Sequence, residues 1–229
     1  MNLFNGHKYP RTALSIAGSV VFALLSTTPS FGAETRDTLW NIVSTCMDTG
    51  AADYCSRCVA PRAEAGCNRP CWNTTQVWAE SPQFVLIRDR KMCGCPEGFV
   101  HGLALPRNRV TGAEDPGRPE GIWEYAWAAA ARRMPENEIA LAVNPKNRRS
   151  QDQLHLHLVR VRRESLPADP RRTARVDALG AVWNVAAGKA AELAWRDYGI
   201  LVVKGPETGY LVVVDDGSPE YDFTLAECR

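Results

Sequence analysis

Eight cysteines constrain this 229-residue chain more than any other feature. Seven crowd between Cys46 and Cys95, and the eighth, Cys228, stands at the far end of the sequence. Such density implies either a disulfide framework or metal-bound knuckles. "CSRC" (55–58) and "CNRPC" (67–71) have spacings that a zinc ion accepts. An even count in an exported chain reads instead as disulfides.

The first residues favour export. Lys8 and Arg11 precede "ALSIAGSVVFALL" (13–25), and small residues follow around Gly32 and Ala33. A basic start, a short apolar run and a small-residue exit make a secretory signal. The run is short against the roughly 20 residues of a spanning helix. Residues 1–32 are therefore read as a signal peptide, or as an N-terminal anchor built on residues 13–25. Residues 33–229 are read as a single domain with a Cys-rich segment at 46–95. Disulfides are the preferred reading of that segment, with zinc as the rival. Cys93 and Cys95 are too close to pair comfortably with each other, so each is expected to have its own partner. Cys228 is expected to tie the tail to the Cys-rich region. Spacing alone does not give the pairing.

The remaining chain alternates helices with strand pairs. "TRDTLWNIVSTCMDTG" (35–50) predicts a short helix with a Gly stop, and 51–82 an irregular stapled stretch. "FVLIRDR" (84–90) and "FVHGLALP" (99–106) predict a hairpin. A helix is expected over 119–134, between Pro119 and Pro135, then strands over 138–144 and 153–161. Residues 173–199 contain a second long helix by this reading, ended by Gly199, before a closing hairpin of "ILVVKG" and "GYLVVVDDG". The order defines an α+β protein with a mostly antiparallel sheet.

"QLHLHLVRV" (153–161) carries the chemistry. Side chains alternate along a strand, so Leu154, Leu156 and Leu158 take the core face, and Gln153, His155, His157 and Val159 take the other. Imidazoles on a cleft face can pack, bind metal or attack an electrophile. His101 is the one other histidine after the signal, so a three-histidine metal site would need it to converge; otherwise it is structural. Ser150, Gln151, Gln153, Arg148 and Arg149 supply the hydroxyl, amide and cationic donors that a phosphoryl group needs. From Asn144 to Arg175 the chain is locally basic, which suits an anionic ligand, while the overall net charge of +1 gives no reason to invoke nucleic acid. Trp123, Tyr125 and Trp127 crowd one helix; one side is expected in the core and the rest at a rim, with a lipid- or base-facing patch as the alternative.

"SQDQLHLHLV" resembles the histidine-triad signature, with Gln153 at its first position, His155 in the middle and His157 last. The glutamine resembles the branch of CDP-diacylglycerol pyrophosphatases. "FVLIRDR", "LALPRNRVTGAEDP" (103–116) and "AVNPKNRRSQDQLHLHL" are similar to segments of that family, so the resemblance covers roughly 84–161. It implies a histidine-triad-like fold and an exported enzyme of the bacterial periplasm or outer face of the inner membrane. That enzyme would split CDP-diacylglycerol into CMP and phosphatidate at a membrane surface, without metal or other cofactor. It also implies roles. His155 would be the nucleophile, and His157 would hold a phosphate oxygen and orient the imidazole. Gln153 would donate to the phosphate or act as an orienting group. Ser150 would meet the leaving group, and Asn144 would reach the phosphates. By its charge and its place in the loop, Arg149 is expected at the phosphate site as well. Two other functions remain compatible with these residues: a histidine-triad nucleotide or dinucleotide hydrolase or nucleotidyltransferase, and a non-catalytic, disulfide-rich binding module.

Overall fold

A computed structural model describes residues 35–228. The expected signal or anchor lies outside them. Eight strands form one antiparallel sheet: β1 (Val77–Glu80), β2 (Phe84–Arg88), β3 (Gly102–Pro106), β4 (Ile139–Val143), β5 (Leu156–Arg160), β6 (Thr173–Val176), β7 (Gly199–Lys204) and β8 (Tyr210–Asp215). Their spatial order is β1-β2-β3-β5-β4-β7-β8-β6. The helices are α1 (Thr38–Thr45), α2 (Tyr54–Arg57), α3 (Ile122–Ala130), α4 (Val182–Glu192) and α5 (Pro219–Asp222). The α+β, antiparallel expectation is met.

The period-two pattern of the strands sorts the two faces. On one face Leu154, Leu156 and Leu158 join Leu86, Leu141, Val202 and Val214, and α3 and α4 cover them with Trp123, Trp127 and Trp183. The other face is covered in two separate pieces. Val85 and Ile87 of β2 and Leu103 and Leu105 of β3 pack under Leu39, Ile42, Tyr54 and Cys58 of the Cys-rich layer. Ala140 and Ala142 of β4, Val159 of β5 and Leu201 and Val203 of β7 pack instead with Phe223 from the tail. Strand β5 runs between these two coverings, with His157 on it and His155 just before it.

Four disulfides staple the Cys-rich layer and the tail: Cys46–Cys58, Cys55–Cys67, Cys71–Cys93 and Cys95–Cys228. They exclude the zinc reading. Cys93 and Cys95 take separate partners, and Cys228 ties the tail to the Cys-rich region.

Several elements differ from expectation. The stretch 51–82, read as irregular, ends in edge strand β1, which is only half-buried and whose pairing with β2 is interrupted by a register shift. The stretch 173–199 does contain the long helix α4, but it opens with edge strand β6, paired to β8. Helix α4 stops well before Gly199, which opens β7. The stop is made by Ala194, which adopts a left-handed φ of 57° so that the Trp195 N–H reaches the Ala190 carbonyl at 2.9 Å. Helix α3 begins at Ile122, leaving the Pro119 carbonyl to accept from the Trp183 indole at 3.1 Å. Both tryptophans of α3 are buried, and Tyr125 packs against the same core, so that helix offers no lipid-facing patch. The α1 helix ends at Thr45, short of Gly50. Strand β5 starts at Leu156, because the backbone N–H groups of Asp152 and Leu154 bond to the carbonyls of Arg36 and Val110 in loops and not to a neighbouring strand.

Candidate active site

The loop before β5 is fixed from three directions. The Gln151 amide accepts from Leu39 N–H at 3.1 Å and donates to the Thr35 carbonyl at 3.3 Å, tying the loop to the start of α1. Arg36 grips Asp152 through two bonds of 2.7 Å. Arg149 makes a bidentate pair with Glu114, also at 2.7 Å on both sides. Gly112 makes that pair possible, since a Cβ there would collide with the Arg149 guanidinium. Gln153 is fully buried; its amide donates to the carbonyls of Pro106 (3.0 Å) and Asn108 (2.9 Å) and accepts from Val110 N–H (3.4 Å).

These bonds redistribute the roles expected from sequence. Both amide protons of Gln153 are committed to backbone, so it cannot donate to a phosphate; the orienting alternative fits the geometry. Both terminal nitrogens of Arg149 are committed to Glu114, so its charge is already balanced. Ser150 and Arg148 are exposed and line the cavity described below.

The imidazole tautomers follow from their partners. A carbonyl only accepts, so the 2.6 Å contact between His155 Nδ1 and the Gln153 carbonyl requires the proton on Nδ1. His155 in its neutral form therefore carries its lone pair on Nε2. His101 Nδ1 likewise donates to the Ala226 carbonyl at 3.0 Å, leaving Nε2 of a neutral His101 as an acceptor. That nitrogen lies 3.0 Å from His157 Nδ1, so His157 is the donor there and its own Nε2 is bare. Burial holds all three imidazoles below their usual pKa of 6.5. His157 is pushed well below it, with His155, His101 and Lys91 adding to the effect. His101 thus does converge, on His157. The neutral tautomer also means that His157 accepts rather than donates toward the cavity; holding a phosphate oxygen would require it to be protonated.

His157 Nε2 has no aligned hydrogen-bond partner, yet it lies 3.2 Å from Glu220 Oε2. Two acceptors at that distance are suited to share a donor, such as a water molecule. Glu220 is the main functional residue that the sequence reading missed. It sits buried on α5, pairs with the Lys91 ammonium and accepts from Asn144 Nδ2 at 2.7 Å. The Asn144 carbonyl oxygen accepts from Ser218 Oγ at 2.9 Å and from the Glu220 N–H at 3.3 Å. Asn144 thus fixes Glu220 with one of its two amide protons, and it lines the same cavity as the histidines. Burial would lower the pKa of Lys91, but Glu220 and the Tyr221 hydroxyl outweigh it and raise the pKa.

A cavity of about 310 Å³ opens over His155 and His157, with Lys91, Arg148 and Ser150 on its polar side and Leu39, Ile42 and Ile87 on its apolar side. Asp89, His101 and His157 each bring one potential metal-ligand atom, all within 4.8 Å of one another. A cation there would replace the His101–His157 hydrogen bond and face the Lys91 ammonium, so hydrogen bonding already accounts for the group.

An antiparallel α+β protein that sets a neutral imidazole beside a cavity lined by Lys91 and Arg148, with a second imidazole and a carboxylate buried behind it, belongs to a class equipped for nucleophilic and proton-transfer chemistry on anions. The family model for CDP-diacylglycerol pyrophosphatase matches residues 34–208, and the chain belongs to that family. It is 35% identical over 137 residues to a probable CDP-diacylglycerol pyrophosphatase of Mycobacterium leprae, covering 55% of this chain and 43% of the relative. It is 31% identical over 155 residues to CDP-diacylglycerol pyrophosphatases of Mycobacterium bovis and Mycobacterium tuberculosis, covering 63% of this chain and 52% of each relative. The chain therefore spans about half the length of the curated relatives it matches.

Proposed function

We propose that this protein hydrolyses CDP-diacylglycerol to CMP and phosphatidate through a nucleotidyl-histidine intermediate on His155, within a histidine-triad-like fold. The observation that carries the reading is the Gln153 carbonyl on His155 Nδ1, which aims a neutral lone pair at the cavity. Family membership supplies the substrate. In the first step His155 Nε2 attacks the cytidine-side phosphorus. The nitrogen–phosphorus bond forms as the bond to the bridging oxygen breaks, and phosphatidate departs with that electron pair. Lys91 and Arg148 stand where they can balance the departing charge, and the exposed Ser150 hydroxyl can donate to it. In the second step water attacks the same phosphorus, the electron pair returns to His155, and the water proton passes to the His157–Glu220 pair. Splitting one displacement into two lowers each barrier.

Four disulfides support an oxidising compartment such as the bacterial periplasm or the outer face of the inner membrane, reached by way of the N-terminal signal or anchor. Hydrolysis of CDP-diacylglycerol in isotopically labelled water tests the mechanism. The label should enter CMP. Label in phosphatidate would mean attack on the lipid-side phosphorus, and the absence of hydrolysis by correctly bridged protein would overturn the reading.

A further inference from the structure

The large hydrophobic side chains exposed among the described residues are Val59 (54%), Trp72 (57%), Tyr221 (45%) and Leu225 (46%). The first three border the one cavity that holds the imidazoles; Leu225 does not. Isolated exposed apolar residues need no explanation, but three converging on one opening do. Two of them come from the Cys-rich layer, each beside a bridged cysteine: Val59 follows Cys58, and Trp72 follows Cys71. The disulfides therefore hold this lip in place. Tyr221 faces them from α5, with its hydroxyl accepting from Lys91 at 2.7 Å. Ile42 and Ile87 add apolar surface to the same cavity.

A cavity of about 310 Å³ lies at the small end for ligand pockets, which span about 300–1,000 Å³. It has no room for a nucleotide diphosphate together with two acyl chains. The chains of a lipid substrate must stay outside, across the apolar lip, while Lys91 and Arg148 meet the anionic headgroup behind it. We propose that Val59, Trp72 and Tyr221 form the lipid-side subsite, on which the glycerol backbone and first methylenes of a CDP-lipid lie while it is still seated in a bilayer. The Cys-rich layer then determines specificity as well as covering the sheet. This rests on the proposed CDP-diacylglycerol reading of the site.

The test uses the full chain with its bridges intact and the variants Trp72→Ser, Val59→Ser and Leu225→Ser. Each would be assayed with long-chain CDP-diacylglycerol in phosphatidylcholine vesicles and with a monomeric dihexanoyl CDP-diacylglycerol. Trp72→Ser and Val59→Ser should lower the long-chain to short-chain ratio of kcat/KM by at least about tenfold, mainly through KM, as expected for loss of a large apolar contact. Leu225→Ser should leave the ratio unchanged. Equal losses on both substrates, or no loss, would overturn the subsite while leaving the hydrolase reading intact. If the wild-type protein cleaves neither substrate, the hydrolase reading falls. Flotation with vesicles carrying CDP-diacylglycerol then decides the subsite alone: retention of wild type and loss of Trp72→Ser supports it, and equal retention refutes it.

Discussion

Replacing Cys95 and Cys228 together by serine should cost both stability and turnover, and the two losses have different origins. This bridge closes a sequence separation of 133 residues, whereas Cys55–Cys67 closes 12. Loop-closure entropy assigns about 5 kcal/mol to the long loop and about 3 kcal/mol to the short one, and measured bridges commonly give about 2–4 kcal/mol. Against a domain stability of about 5–15 kcal/mol, either loss is plain in a denaturant titration. Turnover separates them. The segment fastened by Cys228 carries Glu220, which pairs with Lys91, and Ala226, whose carbonyl sets the His101 tautomer. Without the bridge that segment depends on Phe223 burial and its hydrogen bonds, and the acceptor pair at His157 loosens. Cys55→Ser/Cys67→Ser should therefore lower the unfolding free energy with little change in kcat, while Cys95→Ser/Cys228→Ser lowers both. Unfolding curves within about 0.5 kcal/mol of wild type, a typical surface-mutation effect, would refute the energetic argument. Full kcat in the Cys95→Ser/Cys228→Ser protein would refute the positioning argument.

Deleting the proposed nucleophile in His155→Ala should reduce kcat by at least about a thousandfold, while the unfolding free energy falls by no more than about 1–3 kcal/mol for the orphaned Gln153 carbonyl; an active variant removes the covalent step. Because burial lowers the pKa of His101, His155 and His157, the unfolded chain binds more protons, so stability should be fully present above about pH 6.5 and fall on acidification. Asp215, pushed up to about 6 by burial, acts in the opposite sense at lower pH, so denaturant titrations between pH 8 and 6 are the ones to read; a stability that rises toward pH 6 contradicts the assignment. Turnover should survive a strong chelator, and one equivalent of metal lost together with activity would instead make Asp89, His101 and His157 its ligands.

The leucine-histidine alternation exposed both the core face of β5 and the cleft face, because period two is a local property that every strand obeys. The separate partners of Cys93 and Cys95 followed from equally local geometry. Edge strands β1 and β6 were hidden because short, partly exposed strands lack a full alternation, and β6 precedes a helix in the chain. The roles of Gln153 and Arg149 shifted, and the tie from Asn144 to Glu220 went unseen, because residue type names a donor but not its acceptor, and those acceptors lie in remote loops or on α5. Glu220 was out of reach for the same reason: it meets His157 across a sequence separation of 63, and nothing around "SPEYD" marks it as more than a turn.

The strand order has a kinetic consequence. Ladders β1–β2, β2–β3, β4–β5 and β7–β8 join sequence neighbours, but β3–β5, β4–β7 and β6–β8 do not. Non-local pairings must close long loops before any contact rewards them, which places such topologies toward the slow, millisecond-to-second end of folding. His157 stands in the β3–β5 ladder, opposite Leu103. The three short bridges can close while later residues are still being made, but Cys95 must wait for Cys228. The Cys-rich layer is thus stapled from local sequence, whereas the imidazole cavity is completed only when the segment carrying Glu220 and Cys228 docks.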